Sequence, residues 1–197
     1  MNSQRIGEWF FRWRSYTPLP LLLAALILAR PTWRSLAVGY ILLIAGELLR
    51  ISAVGFASGA TRTLKVGVGE LITGGPYSYT RNPLYLGNFL ISLGLCLAAW
   101  AWMPWMLFIF IAAFSLQYGF LVNLEETTLE RKLGEPYREY LKQVPRWSFR
   151  LTPYQPRYPE RGDFMGGLKS ERRTLQSIAI VTLLLILRGF VFGSWLR

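Results

Sequence analysis

The sequence predicts an all-α, polytopic integral membrane protein with about five transmembrane helices. Its 197 residues are 52% hydrophobic and 17% charged, with 8 Trp and 12 Phe, which is too apolar for an ordinary soluble domain. The apolar residues form five runs, and the basic residues lie outside these runs and close to their ends, where a bilayer favours them. The runs are 19–29, 35–56, 83–100, 103–124 and 175–195.

The chain begins with a segment, 1–17, that is rich in arginine and aromatic residues, including Trp9 and Trp13. This composition is typical of a helix that lies in the membrane interface. A cleaved signal peptide is the alternative, but the charged end of a signal peptide is unlike this segment. The run at 19–29 is short for a bilayer, which needs about 20 residues, unless flanking residues complete the span.

Three spans are predicted in the middle of the chain. The run at 35–56 is long enough to cross and carries Glu47, which is costly in a membrane unless it is paired. Arg50 is either its structural partner or, together with Glu47, part of the lining of a substrate cavity. The runs at 83–100 and 103–124 are joined by the uncharged turn "WAWMP", which predicts a helical hairpin.

The last run, at 175–195, contains Arg188, which we expect to snorkel or to contact polar groups of another span. The segment before it, 151–174, is basic and partly Pro-rich, and is predicted to be a cytoplasmic linker. The chain therefore divides into the interfacial segment, a membrane core at 18–150, the linker and a C-terminal transmembrane helix at 175–197.

The distribution of positive charge predicts the orientation in the membrane. With a cytoplasmic N-terminus, 18 of the 22 Lys and Arg residues lie on the cytoplasmic side and three on the other. Positive loops favour the cytoplasm, so we predict that the N-terminus and the loops 55–82 and 125–173 are cytoplasmic. The net charge of +11 would also suit a nucleic-acid-binding protein. Because the charges are scattered instead of clustered on one face, we expect no nucleic-acid partner.

Histidine is absent from the chain, and cysteine occurs once, as Cys96. A chain without imidazole is an improbable host for a zinc or haem site, so no metal is expected. A single cysteine inside an apolar run provides no intramolecular disulfide.

A polar stretch, "GGPYSYTRNPLYLG", precedes the third run, and residues 74–82 of it are called the hinge below. Asn82 followed by Pro83 is typical of a helix start, with the Asn side chain accepting hydrogen bonds from first-turn amides. Gly74 and Gly75 predict a turn that allows close approach of a ligand to the backbone. The alternative is a capped membrane helix whose tyrosines lie in the interfacial belt.

At the other end of the predicted hairpin, Glu125 and Glu126 follow the fourth run, so the two polar sequences should meet at one membrane surface. Carboxylates at the carboxyl end of a helix are disfavoured by the helix dipole, which predicts a cationic partner for the pair. The alternative is that they begin an amphipathic cytosolic helix as solvated charges.

These two motifs carry a resemblance to a known family. "GPYSYTRNPLYLG", 37 further residues and "EETTLERKLGEPYREYLKQVPRW" resemble the integral membrane methyltransferases that include isoprenylcysteine carboxyl methyltransferase and phosphatidylethanolamine N-methyltransferase. The resemblance covers residues 74–149. It implies a cytoplasmic pocket for S-adenosylmethionine and a lipid-like substrate that enters from the bilayer.

The resemblance also implies site residues. Those expected to bind the cofactor are Tyr77, Arg81, Asn82, Pro83, Tyr85, Leu86, Gly87, Glu125 and Glu126. Those expected to contact the substrate are Tyr137, Tyr140 and Arg146, together with Glu47 and Arg50, which lie outside the resemblance and are included for their place inside the second run. No residue is assigned as catalytic, since methyl transfer to a positioned acceptor requires no general acid.

Asn82 stands where the carboxyl methyltransferases have histidine, and the arginine that they carry shortly before the Glu pair is missing. These departures favour an amine acceptor, whereas the matching tail after Gly134 favours a carboxyl acceptor, so both acceptors stay open. An NADPH-dependent membrane reductase of the sterol type and a non-catalytic membrane protein are the alternatives to a methyltransferase.

Overall fold

In the computed structural model, residues 3–57, 71–155 and 161–191 are described. Over these ranges the chain forms helices and turns without a β-strand, which confirms the all-α prediction. The helices are α1 (Ser3–Trp13), α2 (Leu19–Ile27), α3 (Trp33–Phe56), α4 (Pro83–Ala99), α5 (Trp105–Leu133), α6 (Glu135–Gln143), α7 (Phe164–Ser170) and α8 (Arg172–Val191). A short 3-10 helix, Gly75–Ser78, lies in the hinge.

Two described helices, α3 and α5, are long and apolar enough to cross a membrane. Helix α4 is apolar but shorter, with 17 residues and a length of about 25 Å. Helix α2 has only nine residues, so by itself it is too short to span a bilayer. The structure therefore confirms the helical architecture and gives two candidate membrane spans among the described residues. It does not confirm the predicted number of five spans.

The closest helix pair is α3 with α4, and glycines make this pairing possible. A Cβ atom on Gly39 would lie 2.4 Å from the carbonyl oxygen of Gly94, and one on Gly46 would lie 2.7 Å from that of Gly87. Small residues at both crossing points allow the backbones to approach, as is common between membrane helices. A turn connects α4 to α5, as the predicted hairpin requires, but α4 packs mainly against α3.

One end of the helix bundle carries tryptophans. The beginnings of α3 and α5 meet the end of α4 there, and the amide of Arg30 donates to the carbonyl of Ala99 at 2.9 Å. Trp33, Trp100, Trp102 and Trp105 are all exposed at this end. Tryptophan favours the membrane interface, so this end has the composition of an interfacial belt.

The hinge lies at the opposite end, where the chain after α6 folds back over it. The amide of Arg81 donates to the carbonyl of Pro145 at 2.9 Å, and the amide of Tyr154 donates to that of Ser78 at 2.8 Å. This arrangement places the two predicted motifs side by side.

The segment predicted as a linker, 151–174, contains α7 and the start of α8. A Cβ atom on Gly167 of α7 would lie 2.3 Å from the carbonyl oxygen of Ile51, so α7 packs directly on α3. Apolar periodicity missed α7 because it has only seven residues. The guanidinium of Arg188 in α8 donates to the carbonyl of Ile27, which confirms its predicted contact with another helix.

Candidate functional site

The hinge holds its shape through glycine and local hydrogen bonds. Gly75 has a φ of +56°, and a Cβ atom there would lie 2.4 Å from the ring of Phe56. Ser78 Oγ donates to the Gly75 carbonyl at 2.6 Å. Both the left-handed backbone and the contact with Phe56 require glycine, so this turn is closely specified by the sequence.

Asn82 was predicted to cap α4, and this prediction is wrong. Its side chain makes no capping hydrogen bond. Instead, Asn82 Nδ2 donates to Glu126 Oε1 at 3.4 Å and to the carbonyl of Arg146 at 3.2 Å. Asn82 is buried, and tertiary acceptors on α5 and after α6 take the side chain away from the helix start. Pro83 occupies the first helical position, as expected.

Glu126 is the centre of a buried ionic cluster. Arg146 Nη2 donates to its Oε2, and Arg81 Nη1 lies 3.5 Å from the same oxygen. The side chains of Glu126 and Arg81 are only 9% and 15% exposed. Arg81 is therefore mostly buried. The cluster ties the hinge, α5 and the segment after α6 together.

Glu125 has different surroundings from its neighbour. Its Oε2 accepts a 2.7 Å hydrogen bond from Tyr85 Oη, and its side chain is half-buried. Over the described ranges, no arginine or lysine forms an ion pair with it. Helix α5 continues to Leu133, so the Glu pair lies two turns inside the helix. The explanation by the helix dipole is therefore wrong, since that effect is confined to the last turn.

A chain of polar contacts runs from Tyr85 to the far side of α3. The rings of Tyr85 and Tyr118 are 5.1 Å apart, and Asn88 Nδ2 donates to Tyr118 Oη at 3.2 Å. Arg50 Nη1 donates to Asn88 Oδ1, and Arg50 Nη2 donates to both carboxylate oxygens of Glu171 at 2.9 Å. This chain brings α3, α4, α5 and the start of α8 to one place.

Arg50 was expected either to pair with Glu47 or to line a substrate cavity with it, and a 4.0 Å salt bridge joins Arg50 Nε to Glu47 Oε2. Glu171 is the principal partner of Arg50, and it is fully buried. Sequence reasoning missed Glu171 because it lies in the predicted linker. It also missed Asn88 and Tyr118. Each is a polar residue inside a predicted span, and this is the feature by which the sequence could have identified it.

Tyr137 and Tyr140 are buried on α6 with Val144. Tyr140 Oη donates to the carbonyl of Tyr77 in the hinge at 2.7 Å. Burial raises the pKa of both phenols well above the ordinary value, so Tyr140 remains a donor at physiological pH. These described contacts brace the hinge from the side of α6.

The remaining predicted residues lie along the first turns of α4. Gly87 faces α3, because a Cβ atom there would lie 2.5 Å from Arg50 Cγ. Leu86 is partly buried, and its amide donates to the carbonyl of Asn82 at 3.0 Å. The lack of a side chain at Gly87 thus lets the first turns of α4 pass close to Arg50 on α3.

An apolar cavity of about 170 Å³ lies between α2, α4, α5 and α8. Most of its lining is aliphatic or aromatic, while Tyr118, Gln117 and Thr17 are polar members. Tyr118 therefore belongs both to the cavity wall and to the polar chain that leads towards Glu125. The candidate site thus has an apolar part and a charged part that meet at one tyrosine.

Two buried polar atoms at the hinge fit a polar ligand. Thr80 Oγ1 and Arg81 Nε are inaccessible to solvent, and neither has a hydrogen-bond partner in the described part of the chain. Such groups cost free energy unless something satisfies them. Together with the carboxylate of Glu125, they suit a ligand that carries both a cation and hydrogen-bond acceptors. No cluster of His, Cys, Asp or Glu able to hold a metal ion occurs among the residues described.

Comparison with known families gives the class of protein. The profile of the phospholipid methyltransferase family matches residues 34–136, which is more than half of the chain and extends from α3 to the start of α6. The chain belongs to this family of membrane methyltransferases, as its two motifs predicted.

Three curated relatives are similar to this chain. The nickel-cobalt-cadmium resistance protein NccN of Alcaligenes xylosoxydans xylosoxydans is 29% identical over 79% of this chain and 69% of its own length. The cobalt-zinc-cadmium resistance protein CzcN of Cupriavidus metallidurans is 29% identical over 79% of this chain and 68% of its own. The protein-S-isoprenylcysteine O-methyltransferase of Xenopus laevis is 32% identical over 58% of this chain and 40% of its own. No solved structure matches.

Proposed function

We propose that this protein transfers a methyl group from S-adenosylmethionine to a lipid-like acceptor at the cytoplasmic face of a membrane. The observation that carries the proposal is the half-buried Glu125 carboxylate beside a hinge with unsatisfied polar atoms, within a chain of the phospholipid methyltransferase family. The acceptor is a carboxylate or an amine on a molecule with a hydrocarbon tail.

We assign to Glu125 the role of binding the positively charged part of the cofactor. Its side chain accepts only from Tyr85 among the described hydrogen bonds, which leaves carboxylate acceptor capacity. Glu126 has no comparable capacity, because Arg81, Arg146 and Asn82 already surround it. Glu126 is therefore assigned a positioning role, in which it holds the hinge against α5.

We assign Thr80 Oγ1 and Arg81 Nε as donors of hydrogen bonds to acceptor atoms of the cofactor. S-adenosylmethionine supplies an electrophilic methyl group on a sulfonium, and its loss leaves a neutral thioether. The protein's contribution is positioning, because holding the two reactants in line can supply most of the rate acceleration. A chain without histidine can perform this task. A carboxylate acceptor takes the methyl group as the anion, and an amine acceptor reacts as the free base after its proton has passed to water, while the hinge, Tyr85 and Glu125 hold the reactants.

The orientation in the membrane is part of the proposal. The hinge, α6 and the segment after α6 lie at the end of the bundle opposite the group of Trp33, Trp100, Trp102 and Trp105. Positive residues are concentrated in the sequence at the hinge end, which favours its placement in the cytoplasm. The cofactor would then reach the site from the aqueous side and the acceptor from the bilayer.

The test uses the purified chain in lipid nanodiscs. Calorimetry with S-adenosylmethionine and with NADPH should show binding of the former alone, and labelled methyl groups should pass from S-adenosylmethionine into a lipid extract. Binding of NADPH alone would instead support a reductase. Binding of neither cofactor by the folded protein would contradict both enzyme classes.

A further inference from the structure

We propose that the hydroxyl groups of Tyr118 and Ser92 form a donor site in the wall of the cavity between α2, α4, α5 and α8, and that this donor site selects a neutral carbonyl oxygen of the methyl acceptor. The inference rests on the proposed function and deepens it by naming two residues that select the acceptor. The carbonyl is a recognition group and is not the atom that takes the methyl group.

Polar residues of α4 form a row that leads from Glu125 to the cavity. Tyr85, Asn88 and Ser92 follow one another at spacings of three and four residues, which places them on one face of the helix. Tyr85 Oη donates to Glu125 on α5, and Ser92 lines the cavity. Because polar groups in an apolar helix are costly without partners, such a row requires either a structural contact or a ligand.

The contacts of Arg50 and Asn88 fix the direction in which Tyr118 forms hydrogen bonds. A guanidinium carries donors only, so the contact with Arg50 requires Asn88 Oδ1 to be the acceptor. Asn88 Nδ2 then faces Tyr118 and donates to its Oη at 3.2 Å. Tyr118 Oη is an acceptor in this contact, so its own hydrogen is left for a different partner.

Two hydroxyl donors are thus left in the wall of the cavity. Within the part of the chain that the structure describes, Tyr118 Oη has Asn88 as its one hydrogen-bond partner, and Ser92 Oγ forms no hydrogen bond. Both residues line the cavity and are only partly buried. A hydroxyl that faces an apolar space without an acceptor costs free energy, so an acceptor atom of a ligand would stabilise the site.

The rest of the cavity suits the apolar part of the same ligand. Its volume of about 170 Å³ and its lining by Leu, Ala and Phe side chains resemble apolar cavities that stay free of water and bind small hydrocarbons. A cavity of about 150 Å³ holds benzene, so this one accommodates roughly six carbon atoms beside the carbonyl.

The balance of charge behind the donor site favours a neutral oxygen. Arg50 forms two 2.9 Å hydrogen bonds to the buried carboxylate of Glu171, with Glu47 a further 4.0 Å contact. The groups that reach the cavity from this network are neutral hydroxyls. A carbonyl oxygen needs only such donors, whereas an anion would need a counter-charge to offset its desolvation. An ammonium group has donors alone and cannot accept from Tyr118.

The experiment measures how small probes protect Cys96, the single cysteine of the chain, which lines the cavity one turn after Ser92. The protein in zwitterionic nanodiscs is treated with methyl methanethiosulfonate, and intact-mass spectrometry follows the rate of modification. The probes share a hexyl chain. They are octan-2-one, 2-methyloct-1-ene, in which a methylene group replaces the carbonyl oxygen, and octan-2-amine, which is cationic at about pH 8. Their concentrations are measured in the bilayer, so differences in partitioning do not enter the comparison.

We expect octan-2-one to protect Cys96 at about one-fifth of the concentration that 2-methyloct-1-ene requires, which is the effect of about one net hydrogen bond. Octan-2-amine should protect no better than the alkene. Tyr118→Phe and Ser92→Ala should each reduce the preference for the ketone, and the double variant should abolish it. Tyr16→Phe, at a position 61% exposed, and Ser177→Ala, at an exposed position on α8, should retain the preference.

The preference is a ratio taken within each variant, so a change in the basal rate of modification cancels. Equal protection by ketone and alkene, no protection by any probe, better protection by the amine than by the ketone, or an unchanged preference in the double variant would overturn the inference. The readout requires neither cofactor nor methyl transfer. A ketone preference in a protein that does not bind S-adenosylmethionine would reject the proposed function and keep the donor site. Absence of the preference in a protein that binds the cofactor would do the reverse.

Discussion

Glu125 and Glu126 are neighbours in the sequence, but they occupy different environments. Successive residues of an α-helix point about 100° apart, because the helix has 3.6 residues per turn. Glu126 thus faces the hinge and its two arginines, while Glu125 faces Tyr85. At the scale of the residue, Glu126 is enclosed by partners within the protein, and Glu125 is the carboxylate that we propose to bind the cofactor.

Single substitutions should separate these two roles. Glu126→Gln removes the charge that compensates Arg81 and Arg146, so it should lower the free energy of unfolding by about 1–3 kcal/mol. Glu125→Gln should leave stability nearly unchanged and weaken S-adenosylmethionine binding by about 1.5–3 kcal/mol, as for a charged hydrogen bond. Thermal unfolding and calorimetry on both variants provide the comparison. Equal losses of stability would contradict the division.

Asn82 offers a test between a capping role and a tertiary role. A cap would tolerate Asn82→Asp and would suffer from Asn82→Ala. In the structure, however, the amide nitrogen donates to the Glu126 carboxylate and to the Arg146 carbonyl. Asn82→Asp replaces this donor by an anion, so it should be the more destabilising substitution in thermal unfolding. The opposite order would restore the capping role.

At the scale of the element, the pairing of α3 with α4 sets the position of the hinge. The two glycine contacts allow Arg50 on α3 to pass Gly87 and to reach Asn88 on α4. Since α4 begins directly after the hinge, any change in this pairing would displace the candidate site as well.

Gly94→Ala should therefore destabilise the fold, because its Cβ atom would lie 2.4 Å from the carbonyl oxygen of Gly39. We expect a loss of about 1–3 kcal/mol from overpacking. Gly119 on α5 is a matched control, since nothing lies within 4 Å of an added Cβ atom. Gly119→Ala should be neutral or slightly stabilising. Equal melting temperatures for the two variants would contradict the close packing of α3 and α4.

The contact between Arg50 and Glu171 links α3 to the start of α8. Glu171→Gln removes the closer of the two carboxylates that face the mostly buried Arg50, and we expect a loss of about 3 kcal/mol. The exposed pair of Glu130 and Arg138, with a 2.9 Å contact, is the control. Glu130→Gln should change stability by less than about 1 kcal/mol, as is usual for surface pairs. A small effect of Glu171→Gln in denaturant unfolding would contradict a stabilising role for this ion pair.

At the scale of the whole molecule, the hinge and the tryptophan belt should lie on opposite sides of the membrane. In a Cys96→Ala background, Ser148→Cys should be protected from an impermeant thiol reagent in intact cells, and Trp102→Cys should react. Both positions are exposed on the protein, so burial does not account for the difference. Reaction at Ser148 would place the candidate site on the outer face.

The sequence by itself determined the membrane class, the helical architecture, the family and the two motifs. Composition, apolar runs and the spacing of residues within one motif are local properties, and they do not depend on how helices pack. The resemblance selected Arg81, Asn82, Glu125 and Glu126, and the structure brings all four to one end of the bundle.

Only the tertiary structure decided how the polar residues pair. Glu171 lies 121 positions from Arg50, and Gln117 lies 103 positions from Arg14, so neither partner has a local signal in the sequence. Asn82 left its expected role for the same reason, since its Nδ2 donates to acceptors 44 and 64 positions away and its side chain makes no capping hydrogen bond with the first-turn amides. Buried polar groups take whichever partners the packed helices bring within reach, because leaving them unsatisfied costs free energy.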